Sequence, residues 1–471
     1  MPWNEALVKD LTHLLGREQV STDPEDRLAH SADSLSAWRA FRAAPLLERR
    51  PDVVVRPRTV EQVAALLSWA NQRGVPVVPF GGGTGVMGAV VPLQGGIALD
   101  MKPLSRIAQV DRESHLVRAE AGILLNDLDT ALHSHGLFLG HDPWSQPIAT
   151  LGGAISTNGV GYLAGRYGPM GAQVRGLQVV LPTGDVLETH PVPKASALDF
   201  NYLFIGTEGT LGVITQATIE AFPIPEKRTF LAFQFPSFEA GYSAIMEMFH
   251  LGLRPTLLDF SQDSWQEGEE VLLYLGFDGC RQEVEGAVQR ARHICGASAG
   301  QDLGEKRANA FWNERHRLAE RYRQEVLAKP PSQRRQRLWA IDYLHVAIPA
   351  GRVLEYRREA QALLQRYPVV VHEWSLWGRP EFFSVLFSAD ARSSAEPLQI
   401  ADLVDRLLTT AQDMGGTMEY CHGIGVKLCH LLPREWGHAL EVFRRIKSAL
   451  DPQCILNPGK MGAYSGSTAE R

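Results

Sequence analysis

The chain has 471 residues, 47 of them basic and 53 acidic, for a formal net charge of −6, with 45% hydrophobic residues. That length exceeds what one hydrophobic core usually serves, so two domains are expected. The acidic balance excludes the basic surface a nucleic-acid binder needs.

No apolar run approaches the roughly 18 residues of a spanning helix. The N-terminus lacks the basic, apolar and small-residue pattern of a signal peptide. Five scattered cysteines (Cys280, Cys295, Cys421, Cys429, Cys454), with no CxxC pair, fit reduced thiols in a cytoplasmic protein.

Residues 1–48 read as a charged helical segment. The run PDVVVRP then predicts a strand. Thr59 and Gln62 make a capping-box pattern, in which Gln62 is expected to reach back to the N-cap amide. A helix over EQVAALLSWANQR follows and ends at Gly74. A second strand, Val75 to Phe80, runs into Gly81, Gly82, Gly83, Thr84 and Gly85. Strand, helix and strand within about thirty residues make a βαβ unit. Adjacent glycines can turn sharply and expose backbone N–H groups with no Cβ to shield them, a concavity suited to anionic oxygens. The loop follows the second strand rather than the first and lacks G-x-G-x-x-G spacing, which disfavours a nicotinamide-binding unit.

Short strands and a helix over LLNDLDTALHSHG come next. A second tract, His141 to Gly161, is rich in small residues and almost uncharged. Such a tract permits close approach by something large and flat. A third, Gly206 to Thr215, reads GTEGTLGVIT and ends in a strand. After PIPEK (223–227) the texture changes to a second α/β layer. It contains FLAFQF, VLLYLGF, YLHVAIP and FFSVLFSAD as strands, an Arg-rich solvated stretch at 304–337, and a helix over IADLVDRLLTTAQDMG. A last helix, EWGHALEVFRRIKSALDP, leads to CILNPGK and a polar tail.

The ordered series PFGGGTG, TLGGAISTNGVG, GTEGTLGVIT, CHGIG and ILNPGK resembles the FAD-linked oxidase family, flavoproteins of the vanillyl-alcohol oxidase and p-cresol methylhydroxylase type. That branch includes glycolate and D-lactate dehydrogenases and alkylglycerone-phosphate synthases. The resemblance implies an α+β fold of two lobes. An N-terminal segment (1–48) would precede an FAD-binding lobe (49–227). A cap with an antiparallel sheet (228–435) would follow, and a C-terminal segment (436–471) would return to the FAD lobe.

Pro79 and Gly81 to Gly85 would hold the FAD pyrophosphate. Pro143, Thr150, Gly152, Gly153, Ser156 and Asn158 would line its second side. Glu208, Gly209, Gly212, Val213 and Ile214 would meet the adenosine and ribityl part, and Asn457 would lie near the flavin. Thr84 stands where relatives with tethered flavin often have His, so non-covalent FAD is expected.

The resemblance also assigns chemistry. His422 matches the family's general base, a role worth about 10²- to 10⁴-fold. Arg315 matches its carboxylate-binding Arg, and Tyr420 would be an acid or hydrogen-bond donor. Metal-dependent relatives carry two spaced His and a Glu before the catalytic His. Here the stretch is HEWSLWGRPEFF, and Cys421 replaces that Glu. His372 and Glu373 are adjacent, so on a strand they would point to opposite faces. No metal is therefore expected. Trp374, Trp377, Phe382 and Phe383 offer either an apolar pocket or packed core.

The leading expectation is oxidation of a small D-2-hydroxy acid by hydride transfer to flavin. The alternatives are a synthase-like flavin transferase, an oxidase of phenolic or other alcohols, and a flavin-free binding subunit, which the cofactor tracts disfavour. The electron acceptor (oxygen, a quinone or a protein) is not indicated by the sequence, and a homodimer is compatible with it.

Overall fold

Val53, Val54 and Val55 are completely buried, as expected of a strand covered on both faces. The computed structural model describes residues 4–192, 197–264, 270–334, 341–389 and 397–462. The polar tail from 463 onward lies outside them. The valines form β2 of a four-stranded sheet comprising β1 (Val20–Ser21), β2 (Val53–Val55), β3 (Val77–Phe80) and β4 (Ile97–Asp100), in the order β1-β2-β4-β3. β2 and β3 both run parallel to β4, which lies between them.

The helix Val60–Arg73 joins β2 to β3, so the βαβ unit is present with a third strand set between its two. Thr59 caps it, accepting from the Gln62 amide at 3.3 Å, and Gly74 ends it in the left-handed region at φ 63°. The capping box needs a correction. The Gln62 side chain overreaches the N-cap and accepts from the Arg58 amide, 2.7 Å away.

The second sheet is antiparallel, in the order β5-β6-β10-β8-β9, with β7 paired to the far end of β10. Its strands are β5 (Ile107–Asp111), β6 (Leu116–Glu120), β7 (Leu137–Leu139), β8 (Val174–Val180), β9 (Val186–Glu188) and β10 (Val213–Pro223). The small-residue tract, which composition alone did not resolve into an element, contains the helix Leu151–Thr157. Thr150 caps it, and it packs so closely that a Cβ at Gly152 would lie 2.7 Å from Ala121 Cβ.

At 224–226 the chain passes to a third sheet, seven strands in the order β14-β11-β13-β12-β16-β17-β15, all antiparallel. They are β11 (Lys227–Gln234), β12 (Leu257–Asp263), β13 (Glu270–Gly279), β14 (Gln301–Asp302), β15 (Ile341–Ala347), β16 (Val369–Trp377) and β17 (Phe382–Ala389). Helices cover one face. Phe238, Tyr242, Tyr356 and Leu407 pack there with Phe260, Leu273, Phe383 and Phe387. Each such side chain is worth about 1.5–3 kcal/mol when fully buried. Strand alternation gives the opposite face a polar set, which includes Tyr343, His345, Glu373, Ser375 and Ser384.

The C-terminus returns to the first sheet. Ile455 O accepts from the Val77 amide at 2.8 Å, the Asn457 amide donates to Val77 O at 2.9 Å, and Ile455 and Leu456 join the core of β2–β4.

Candidate active site

Strand β3 delivers Pro79 to a cleft of about 90 Å³. Pro79, Gly81, Thr150, Gly152, Gly153, Ser156, Glu208, Gly209, Gly212, Val213 and Ile214 all line it. Phe80, Ala89, Val90, Met101, Ala121 and Thr157, which the motifs did not single out, complete the wall. Three tracts far apart in sequence thus meet at one cavity. The third docks directly on the second, because the Glu208 amide donates to Ser156 O at 2.9 Å and the Gly206 amide to Ile155 O at 3.0 Å.

Among the described residues no lysine or arginine lines the cleft. None of the Gly81–Gly85 amides donates to another described residue. The backbone is also too close to its neighbours to carry side chains. A Cβ at Gly81 would sit 2.4 Å from Thr150 Oγ1, one at Gly82 2.3 Å from Ile148 O, and one at Gly83, where φ is 65°, 2.9 Å from the Phe80 ring. Free amides beside a narrow cleft suit a phosphate-linked, flat ligand.

Gly82, Gly83, Thr84, Gly85, Pro143, Asn158 and Asn457 do not line the cavity. Asn158 ends the helix Leu151–Thr157 in the left-handed region, its Oδ1 accepting from the Gly171 amide at 2.8 Å. Asn457 Nδ2 donates to Ala89 O and Glu208 O, at 2.9 and 2.8 Å, bracing two cleft residues.

The loop bearing His422 is anchored to this cleft. Glu208 Oε1 accepts from the Ile424 amide at 2.5 Å and the Gly425 amide at 3.0 Å, and Met87 O accepts from the Val426 and Lys427 amides. Lys427 Nζ lies 2.8 Å from both oxygens of buried Asp342, which also accepts from Arg39 Nε at 2.9 Å. Glu419 accepts from the Cys421 and His422 amides at 2.7 and 3.0 Å, and its Oε1 lies 3.5 Å from His422 Nδ1. Burial works against charge on His422, but Cys421 and Glu419 outweigh it and push it up to about 10. Both neighbours favour the protonated imidazole.

Around it lies the polar face of the third sheet. His345 meets His422 ring to ring at 4.6 Å, and its Nδ1 is 2.8 Å from Ser384 Oγ. Ser384 Oγ is in turn 2.9 Å from the Tyr420 hydroxyl, and the Tyr420 ring stacks on Phe382 at 4.4 Å. Tyr343 bonds Glu373, and lies 2.9 Å from Ser375 Oγ.

The four aromatic residues separate. Trp374 and Phe383 belong to the helix-covered core, whereas Trp377 and Phe382 border the polar face, against His345 and Tyr420 respectively. His372 lies 2.7 Å from Ser388 Oγ, away from the Tyr343 partner of Glu373. Among the described residues no group of three or more His, Cys, Asp or Glu is placed to hold a metal.

Arg315 makes no hydrogen bond to this cluster among the described residues. Its Nε donates to buried Asp142 at 2.8 Å, its Nη1 to Trp312 O at 2.8 Å, and it lies 3.7 Å over the Trp312 ring. Only Nη2 has no partner among the described residues.

His345, Ser384, Glu419 and Tyr343 were not singled out by sequence. One signal was available: in YLHVAIP, Leu344 and Val346 alternate with Tyr343 and His345, which puts the polar pair on one face.

A narrow cleft rich in glycine and small side chains, joined through Glu208 to the loop that bears His422, suits a flat, phosphate-linked cofactor beside a titratable group. The family model described as "FAD binding domain" matches residues 51–190, and that of "FAD linked oxidases, C-terminal domain" matches 224–461. The chain is 30% identical to a D-lactate dehydrogenase of Archaeoglobus fulgidus, over 90% of this chain and 95% of the relative. It is 26% identical to an alkyldihydroxyacetonephosphate synthase of Trypanosoma brucei brucei, over 97% and 80%. A solved 4-ethylphenol oxidase from Gulosibacter chungangensis shares the fold at TM-score 0.77 and 18% identity, covering 98% of this chain and 97% of that one. The chain belongs to the FAD-linked oxidase family, and its cofactor is FAD. Among the described residues no helix is long and apolar enough to cross a membrane.

Proposed function

We propose that the protein oxidises the CH–OH group of a small D-2-hydroxy acid, with non-covalently bound FAD as the acceptor of hydride. What carries this reading is a single carboxylate. Glu208 both lines the cleft and holds the amides that follow His422, so cofactor wall and imidazole form one construction.

In this reading the chain divides at 49–227 and 228–435, with 1–48 and 436–471 as flanking segments. The Gly81–Gly85 amides hold the pyrophosphate of FAD. Pro79, Thr150, Gly152, Gly153 and Ser156, with the tract from Glu208 to Ile214, enclose the rest. FAD, when bound, supplies the site that takes the hydride.

The chain's own groups do the remainder. His422 is favoured in its protonated form, so its part is to stabilise negative charge growing on the substrate oxygen rather than to receive the proton. Arg315, held by Asp142 and Trp312, offers Nη2 to the substrate carboxylate. Tyr420 faces the substrate hydroxyl.

The aromatic border of Trp377, Phe382 and Tyr420 favours, as a second reading, an aromatic alcohol. Similarity to the alkyldihydroxyacetonephosphate synthase supports a flavin transferase as a third. Anaerobic titration of the holoenzyme with D-lactate, glycolate and D-2-hydroxyglutarate tests the proposal. Bleaching of the flavin absorbance supports it, and bleaching only by a phenolic alcohol transfers the assignment to the second reading.

A further inference from the structure

Two histidines adjoin at the site, yet only one of them terminates a chain of hydrogen bonds. His345 projects from β15 opposite Ser384 on β17, its registered cross-strand partner. Nδ1 of His345 is 2.8 Å from Ser384 Oγ, which is 2.9 Å from Tyr420 Oη. The Tyr420 backbone is fixed to the same strand, its amide donating to His345 O at 3.2 Å. Phe382 stacks on the Tyr420 ring with only 6° between planes, which fixes the direction of the hydroxyl. The line Tyr420–Ser384–His345 is thus held at every joint.

We propose that this line is a proton relay, in which His345 receives the substrate's hydroxyl proton through Ser384 and Tyr420. The proposal rests on the oxidoreductase reading above. As the substrate O–H bond breaks, its proton passes to Tyr420 Oη. Tyr420 gives its own proton to Ser384 Oγ, and Ser384 gives its own to His345 Nδ1, which becomes imidazolium. Bound FAD would supply the acceptor for the hydride that leaves as the substrate C–O bond becomes C=O. One proton and one hydride leave, so the step balances.

The environment separates the two histidines: His422 holds its proton tightly, and a proton that reaches His345 is held weakly. His345 is packed among the rings of Tyr343, Trp377, Tyr420 and His422, and Tyr343 is bonded to Glu373. Burial first, then the charges of His422, Arg39 and Lys427, hold it well below the ordinary histidine value. It is therefore neutral when His422 is charged, and a neutral Nδ1 can accept. The relay requires the tautomer with the proton on Nε2, so that Nδ1 accepts from Ser384.

Ser384→Ala removes the middle of the relay without replacing either histidine, and Ser384→Thr restores a hydroxyl. The relay predicts that Ser384→Ala, still carrying full flavin absorbance, reduces its flavin at least about 10²-fold more slowly with the best substrate, and that Ser384→Thr recovers most of the rate. Wild-type rates in both variants overturn the relay while leaving the oxidoreductase reading intact. Failure of every hydroxy acid to bleach the wild-type enzyme overturns that reading, and the relay with it. A readout independent of turnover comes from the apoprotein labelled with ¹⁵N-histidine at pH 7. His345 Nδ1 is expected as an unprotonated acceptor nitrogen whose resonance moves in Ser384→Ala, and a protonated Nδ1 overturns the proposal.

Discussion

The Gly425 amide nitrogen lies 3.0 Å from each carboxylate oxygen of Glu208. Glu208 adopts a positive φ of 52° in the third tract, and Gly423 has no room for a side chain, since a Cβ there would meet Glu208 Oε1 at 2.3 Å. Glu208→Ala would leave the Ile424 and Gly425 amides without their acceptor, at about 1–3 kcal/mol for each buried group. A lowered Tm is expected, whereas Glu208→Gln, which keeps an acceptor oxygen, should stay near wild type.

The same pair of variants carries a pH signature. Burial raises the Glu208 carboxyl from 4.5 to about 7, so the folded chain binds this proton more tightly than the unfolded one. Its contribution to stability is full below 4.5 and is lost as pH rises through about 7. Melting curves between pH 5 and 8 should show less decline for Glu208→Gln than for wild type, and an equal decline would contradict the assignment.

At Gly153 an added Cβ meets one atom, Thr150 Oγ1, at 3.0 Å, so Gly153→Ala requires a small shift of that capping hydroxyl. Its methyl group would also narrow the cleft that Gly153 lines. The apoprotein should melt near the wild-type temperature while FAD binds about tenfold or more weakly, as fluorescence titration would show. Unchanged FAD affinity would separate this cleft from the cofactor.

Thr84 has no nucleophilic imidazole to tether flavin. Acid precipitation of the holoenzyme should therefore leave all of the yellow colour in the supernatant and none on the polypeptide.

His422 keeps its proton until about pH 10. If its charge stabilises the developing alkoxide, the rate of flavin reduction holds through pH 7–9 and falls as pH passes about 10. A base at this position would give the opposite, a rate still climbing toward pH 10.

What could be read from the sequence follows from what is local. Glycine freedom and small side chains are properties of neighbouring residues, so TLGGAISTNGVG, GTEGTLGVIT and the first residues of PFGGGTG mark part of the cleft wall in the sequence, whereas Gly82 to Gly85 lie off it. The chemistry next to it depends on register. Ser384 meets His345 only because β17 pairs with β15, and Glu208 meets Gly425 across 217 residues. Trp374 and Trp377 look alike in sequence, yet one packs in the core and the other borders the site, because strand parity and sheet packing decide between them. Arg315 illustrates the converse. Its motif position suggested a free clamp, but Asp142 and Trp312 already occupy two of its nitrogens, in contacts that no local pattern encodes.

The central claim is oxidation at a carbon bearing hydroxyl, and rapid mixing under anaerobic conditions tests it most directly. The holoenzyme would be mixed with the hydroxy acid that bleaches it best, and with the same compound deuterated at that carbon. The account predicts prompt loss of flavin absorbance and a slower loss with the deuterated substrate, since the C–H bond breaks in that step. Flavin that stays oxidised with every 2-hydroxy acid offered would contradict it.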